Sequence, residues 1–442
     1  MSVEFAPAAS GAPARRWETY NNYKDSGVEW LGKIPVDWEV TLLKRAFDVQ
    51  LGKMLQPTQR NKEDTLEPYL RAANIFWNGV DITDVKEMWF SPYEKDHYFL
   101  KKDDLLISEG GDVGRSAIWK GEIEHCYIQN AINRVRSREI NSTQFLYYWI
   151  YVLKFNGYID MLCNKATIPH FTAEKVESVY IILPPLSEQQ AITSFLDRKT
   201  ARIDTLISKK QHLITLLQEK RAALISHTVT KGLDPDVPMK DSGVEWLGEI
   251  PAHWESIRLK MLVNLINQKA ESEKIRYIGL ENIESLTGNI IETDVIPEGT
   301  ANLFSSNDVL FGKLRPYLSK VLIPDFEGRC TSELLVLRPK KITRHFLFYY
   351  CLSDQFIEIV NSSTYGAKMP RANWDFIGNM VTSCPTDSEQ RNIASFLDRE
   401  TAKLDALISK IQEAIEKLQE YRTALISAAV TGKIDIRNEN RN

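Results

Sequence analysis

The chain has 442 residues, too many for one ordinary hydrophobic core and enough for two or more domains. Its 43% hydrophobic and 26% charged residues suit a soluble globular protein, and no apolar run reaches the length a membrane helix needs. Five scattered cysteines, never spaced C-x-x-C, argue for a reducing cytoplasm and against a structural zinc site; a net charge of −4 weighs mildly against nucleic-acid binding without excluding a local basic surface.

The chain opens on MSVEFAPAASGAPARR, rich in Ala, Pro and Gly and lacking the apolar core of a signal peptide. A disordered tail is expected over 1–16. The first patterned segment, KDSGVEWLGKIPVDWE at 24–39, recurs at 240–255 with three changes. Pro35 and Pro251 rule out a continuous helix there. Trp30 and Trp38, matched by Trp246 and Trp254, predict a packed turn that fastens each following domain to a helix.

Residues 40–180 mix β-rich runs with turns, as in DLLISEGGDVGRSAIW (104–119) and CYIQNAINRVRS (126–137), before the aromatic helical stretch TQFLYYWIYVLKF (143–155). This predicts an α+β domain. Gly110 to Arg115 is glycine-rich but fits no nucleotide-binding fingerprint, and reads better as a turn presenting Arg115. Arg134, Arg136 and Arg138 alternate, which on a strand places them on one face, either towards phosphate or at a solvated strand end. The turn Lys165 to His170, stiffened by Pro169, carries Thr167 and His170.

A long helix is expected over 187–230. Its apolar residues Ile192, Leu196, Ile203, Leu206, Leu213, Leu217 and Leu224 fall mostly at steps of three and four. Ser187 offers an N-cap and Gly232 a stop. The segment recurs at 388–431, an offset of 201 residues, with Ser388 and the apolar set Ile393, Leu397, Leu404, Leu407, Ile411, Leu418 and Leu425. Two such helices, joined through a folded domain, most simply pair antiparallel. Their broad apolar stripe leaves area for another protein.

The second variable segment, 256–381, has little evident similarity to the first, yet the pattern repeats: DVLFGKLRPYLSKVLI (308–323), ELLVLRP (333–339), then RHFLFYYCLSDQFIEIV (344–360). Phe311 to Tyr317, with Lys313 and Arg315, takes the place of the Arg115 turn. Ala367 to Arg371, with Lys368 and Arg371, aligns with Lys165 to His170. Arg and Lys favour guanine in the major groove, and Asn or Gln favour adenine. The expected fold is therefore α+β: two globular α/β domains separated by two long antiparallel helices, in a pseudo-twofold internal repeat. The boundaries are 1–22 for the tail, 23–186 for domain 1, 187–232 for the central helix, 233–387 for domain 2 and 388–442 for the last helix and tail. A frame kept constant around divergent inserts suggests one scaffold presenting two different readers.

No G-x-x-x-x-G-K-[ST], no [DNS]-P-P-[YF] and no H-E-x-x-H occurs, so no catalytic residue or metal ligand is assigned. The repeated G-V-E-W-L-G-x-I-P-x-x-W-E, the P-L-S-E-Q-x-x-I-x-x-F-L-D helix start and the A-L-I-S-x-x-V-T helix end resemble the specificity subunit of Type I restriction–modification systems, over residues 23 to 437. The resemblance implies a non-catalytic subunit of a DNA adenine methyltransferase/endonuclease complex. Each of its target-recognition domains reads half of a bipartite, asymmetric site on double-stranded DNA. It also implies two methyltransferase subunits docked on the long helices, two motor-nuclease subunits beyond them, and a cytoplasmic setting. No cofactor is then expected on this chain; S-adenosylmethionine, ATP and Mg belong to the partner subunits.

The DNA-contact residues that the resemblance implies are Lys165, Thr167 and His170 with Arg115 in the first domain, and Lys368 and Arg371 with Lys313 and Arg315 in the second. Docking and helix pairing fall to Leu196, Ile203, Leu206, Leu213 and Leu217, and to Leu397, Leu404, Leu407 and Leu418. The second helix start, C-P-T-D, departs from the family's proline-proline-leucine run, and a looser turn is expected there. The competing readings are a protein-binding scaffold, a self-contained DNA-modifying enzyme and a DNA-binding protein that has lost its partners.

Overall fold

The computed structural model describes residues 17–138, 140–163, 169–270, 275–293, 301–366, 368–437 and 439. The tail expected at 1–16, and Lys165 and Thr167, lie outside the described residues. The chain forms two compact units, 1–208 with 414–442, and 209–413. This differs from a scheme in which the helices stand apart as separate pieces. Each long helix is divided, because its first half packs on the domain before it and its second half belongs to the other unit.

In the first unit, β1 (Phe47–Leu51), β2 (Leu105–Ser108), β3 (Ser116–Ile118) and β4 (Ile132–Ser137) form an antiparallel sheet in the order β3-β2-β4-β1. The strand period of two separates two cores. Leu105, Ile107 and Val135 face the core that holds helix α1 (Thr143–Phe155), while Leu106 and Ile132 join Trp119 and Ile128 on the other side. The Ser142 hydroxyl caps α1 by accepting from the Phe145 N–H at 3.1 Å.

The second unit repeats this plan. Strands β5 (Val263–Ile266), β6 (Val309–Gly312), β7 (Val321–Leu322) and β8 (Leu334–Pro339) run in the order β7-β6-β8-β5, followed by α2 (Arg344–Leu352). Two segments with little common sequence thus share one topology.

The long helices span Leu186–Lys231 and Asp387–Val430. Each starts before the serine expected to cap it, so Ser187 and Ser388 are helical residues. The C-P-T-D start is not loose. Thr386 and Glu389 close a reciprocal cap, with the Thr386 N–H and hydroxyl donating to the Glu389 carboxylate at 3.0 and 2.7 Å. Both helices end before a left-handed glycine, Gly232 at φ +81° and Gly432 at φ +71°.

In each unit the start of one helix lies against the end of the other. The first unit buries Ile192, Leu196 and Ile203 with Leu425, Ile426 and Val430, and the second buries Ile393 and Leu397 with Ile225 and Val229. One ion pair crosses the seam in each, Arg422 to Asp204 and Arg221 to Asp405, both at 3.0 Å and related by the 201-residue offset. The short repeats form the expected fastening turns. Buried Trp38 donates its indole N–H to Glu188 at 3.2 Å, and Trp254 donates to Glu389 at 3.1 Å. Each domain is clamped to its helix by matched bonds. Tyr148 donates to Asp197 at 2.6 Å and Tyr349 to Asp398 at 2.7 Å.

Candidate nucleic-acid interface

Three loops of the second unit meet at one edge of its sheet. The backbone N–H of Lys313, just past β6, donates to the Glu333 carbonyl at 3.0 Å, and the Lys313 carbonyl accepts from Ala372 at 2.9 Å. Tyr365 and Arg371 exchange backbone bonds at 3.2 and 3.0 Å, making a hairpin whose tip carries exposed Lys368. The hairpin is stitched to the β6 turn by Arg315 N–H to the Pro370 carbonyl at 2.7 Å. Lys313, Arg315, Lys368 and Arg371 are therefore brought together. Arg371 is already engaged: its guanidinium forks onto Glu333 at 3.1 to 3.3 Å, and those bonds push its pKa above the ordinary arginine value. The side chains of Lys313, Arg315 and Lys368 have no hydrogen-bond or ionic partner among the described residues.

The first unit builds the same frame with other side chains. Glu109 N–H donates to the Ala131 carbonyl at 2.9 Å, and the Glu109 carbonyl accepts from Phe171 at 2.9 Å. Asn130 N–H bonds the Lys53 carbonyl at 2.8 Å, adding a fourth loop on which Met54 stands exposed. Exposed His170 lies at this edge, near Gly110. Gln129 and Asn130, half-buried at the same edge, are polar groups that sequence reading passed over; their place became visible only with the strand pairing.

These matched bonds correct one alignment. Lys313 corresponds to Glu109, so Arg315 corresponds to Gly111 and not to Arg115. Arg115 precedes the return strand, where its carbonyl accepts from Ser108 N–H at 2.8 Å, as the Lys320 carbonyl accepts from Gly312 at 2.9 Å. Both side chains brace a short 3-10 turn. Arg115 donates to the Ala72 carbonyl at 3.0 Å and packs on Phe76, and Lys320 donates to the Leu280 carbonyl at 2.6 Å.

The arginine row that starts on β4 bonds within its own domain, with Arg134 buried, Arg136 half-buried and Arg138 exposed just past the strand. Arg134 donates to the His97 and Phe99 carbonyls, Arg136 forks onto buried Asp104 at 2.7 Å, and Arg138 donates to the Phe47 carbonyl. Arg338 repeats the fork on Asp308.

Of the helix positions singled out, Leu196, Ile203 and Leu397 are buried, and Leu217, Leu404 and Leu418 are half-buried. Leu206, Leu213 and Leu407 present 48%, 43% and 44% of their surface to solvent, so they stand outside the buried seam. Leu206 and Leu407 are repeat equivalents.

Comparison with known proteins bears on this arrangement. The profile described as "Type I restriction modification DNA specificity domain" matches residues 35–216 and 251–417, more than half of the chain. The chain is 24% identical to the Type I restriction enzyme MjaVIII specificity subunit of Methanocaldococcus jannaschii, over 92% of this chain and 95% of that one. It is 21% identical to the EcoDI specificity subunit of Escherichia coli, over 91% and 90%. Among solved structures, a chain from work on the assembly and conformational transition of a type I R-M system aligns with a TM-score of 0.63 at 16% identity, covering 90% of this chain and 98% of that one. The HsdS subunit of Thermoanaerobacter tengcongensis aligns at 0.51 and 16%, covering 91% and 98%. The fold is that of these subunits, and each matched region takes in the end of one short repeat, the variable segment after it and the first part of the following long helix. The chain accordingly belongs to the family of Type I restriction–modification DNA specificity subunits.

Proposed function

We propose that this chain recognises a bipartite, asymmetric site on double-stranded DNA, one half per variable domain, and performs no chemistry itself. One observation carries the reading: three matched backbone bonds frame the loop edge of both units, while the side chains on it differ in charge and shape. Such an arrangement suits two readers of different sequence. Lys and Arg contacts would supply salt-sensitive affinity, and a few side chains would supply base choice. Lys165, Thr167 and His170 serve the first half-site, and Lys313, Arg315, Lys368 and Arg371 the second. Arg115, braced on Ala72 and Phe76, shapes the first edge from behind.

Two methyltransferase subunits dock on the long helices, each meeting one of the near-identical repeats, with Leu206, Leu213 and Leu407 offered at the surface. Two motor-nuclease subunits join that core in the cytoplasm. S-adenosylmethionine, ATP and Mg are bound by those partners in a DNA adenine methyltransferase/endonuclease complex. Co-expression with the methyltransferase subunit and sequencing of methylated adenines tests this. A split motif with a fixed gap, lost when either variable segment is deleted, is expected. Unchanged methylation with no co-purifying methyltransferase would overturn this reading in favour of the protein-binding scaffold.

A further inference from the structure

We propose that Arg315 is the guanine-reading side chain of the second unit, and that Arg371 positions the turn presenting it. The inference rests on the DNA-reading function above and assigns one residue its base. Arg315 adopts a left-handed backbone, φ +51° and ψ 62°, which residues carrying a Cβ disfavour. The internal repeat shows what that backbone favours. The equivalent position in the first unit is Gly111, also left-handed at φ +72°. The first unit thus carries the residue that suits the turn, and the second keeps an arginine in its place. Backbone strain retained where a glycine would serve points to the side chain.

That side chain is exposed and without a partner among the described residues, so its five donors are available. Two bonds fix its base: Arg315 N–H to the Pro370 carbonyl at 2.7 Å, and Leu318 N–H to the Arg315 carbonyl at 2.9 Å. Pro316 stiffens the next position. A guanidinium held this way can fork onto the O6 and N7 of guanine in the major groove. Arg371 cannot do the same without releasing Glu333, whose carboxylate already fills its fork. Its role is to bind the hairpin to the β6 turn through the Leu314–Arg371 bridge, which keeps Pro370 beneath Arg315.

The test uses the complex with the methyltransferase subunit, assayed for methylation on a library of duplexes randomised in both half-sites. Arg315→Gly installs the first unit's residue and is expected to melt no lower than wild type. It should lose discrimination at one guanine of one half-site by about tenfold to a hundredfold, with the other half-site unchanged. Arg315→Lys should keep only part of that preference, because an ammonium can reach O6 or N7 but cannot form the fork. Glu333→Gln should weaken all positions of that half-site together, as a positioning defect does. Full retention of base preference by Arg315→Gly would overturn the proposal. So would a uniform loss across random DNA, which marks a phosphate contact. A wild-type complex that shows no split motif would overturn the function reading itself, an outcome separate from any behaviour of the variants.

Discussion

Glu188 and Glu389 occupy the same position in the two long helices, yet the groups around them differ. Glu188 accepts from Tyr20 and Trp38; Glu389 accepts from Trp254, His253 and Thr386. Burial alone would raise the Glu389 pKa, but the bonds from Thr386, His253 and Trp254 outweigh it and hold the carboxyl at about 2. A depressed folded pKa gives stability that is present above the ordinary carboxylate value and lost as pH falls towards the folded one. Denaturation midpoints should therefore fall between pH 4.5 and about 2. Glu389→Gln should be less stable than wild type at pH 7 and show a shallower fall over that window. An equally steep fall in the variant would count against the assignment. The arginine forks give a second test at this scale. Asp308 is fully buried and faces a half-exposed Arg338, so Arg338→Ala should lower stability by about 2 kcal/mol. The alternating spacing of Arg134, Arg136 and Arg138 was legible in the sequence, but their carbonyl and carboxylate partners were not. Those partners sit 32 to 91 residues away and meet only when the sheet forms.

At the scale of elements, the long helices were legible because their signal is local: apolar spacing, a proline before and a glycine after. The cap of the second was misplaced because the Thr386–Glu389 pair closes it, while Ser388 has the same composition signal. The shared sheet topology was hidden, because a strand needs only alternating burial and tolerates many sequences on the same frame. The Arg115–Arg315 alignment failed for a related reason: the turn between β2 and β3 has a different length from the turn between β6 and β7, so spacing from the strands, not from the glycines, sets equivalence. Burial along the helices separates two kinds of leucine. Leu196→Ala and Leu397→Ala should each destabilise by about 2 to 5 kcal/mol. Leu206→Ala and Leu407→Ala should change unfolding by about 0.5 kcal/mol or less, and the double Asp variant at these two sites should still fold but fail to co-purify the methyltransferase subunit. Docking that survives the double variant would move the contact elsewhere. The ion pairs of the seam can be ranked in double-mutant cycles. Arg221–Asp405 should couple more strongly than Arg422–Asp204, because its partners are less exposed, 8% and 36% against 18% and 52%.

At the scale of the whole molecule, the two units are built by different routes along the chain. In the second unit, the end of a long helix passes straight into the short repeat through Gly232 and residues 233–238, and the Lys231 ammonium reaches the Glu249 carbonyl. In the first unit, the matching joint brings together residues distant in the sequence, 432–437 and 18–23. It is held by contacts instead: Asp435 N–H to the Glu18 carbonyl at 2.7 Å, Tyr23 hydroxyl to the Gly432 carbonyl at 3.0 Å, and Arg437 over the Tyr20 ring at 5.0 Å. Contacts thus do in the first unit what a covalent connection does in the second. A chain opened in the exposed stretch 233–236, with its present ends joined by a flexible linker, should fold, dock its partners and direct methylation to the same split motif, although its first residue would then lie in the other unit.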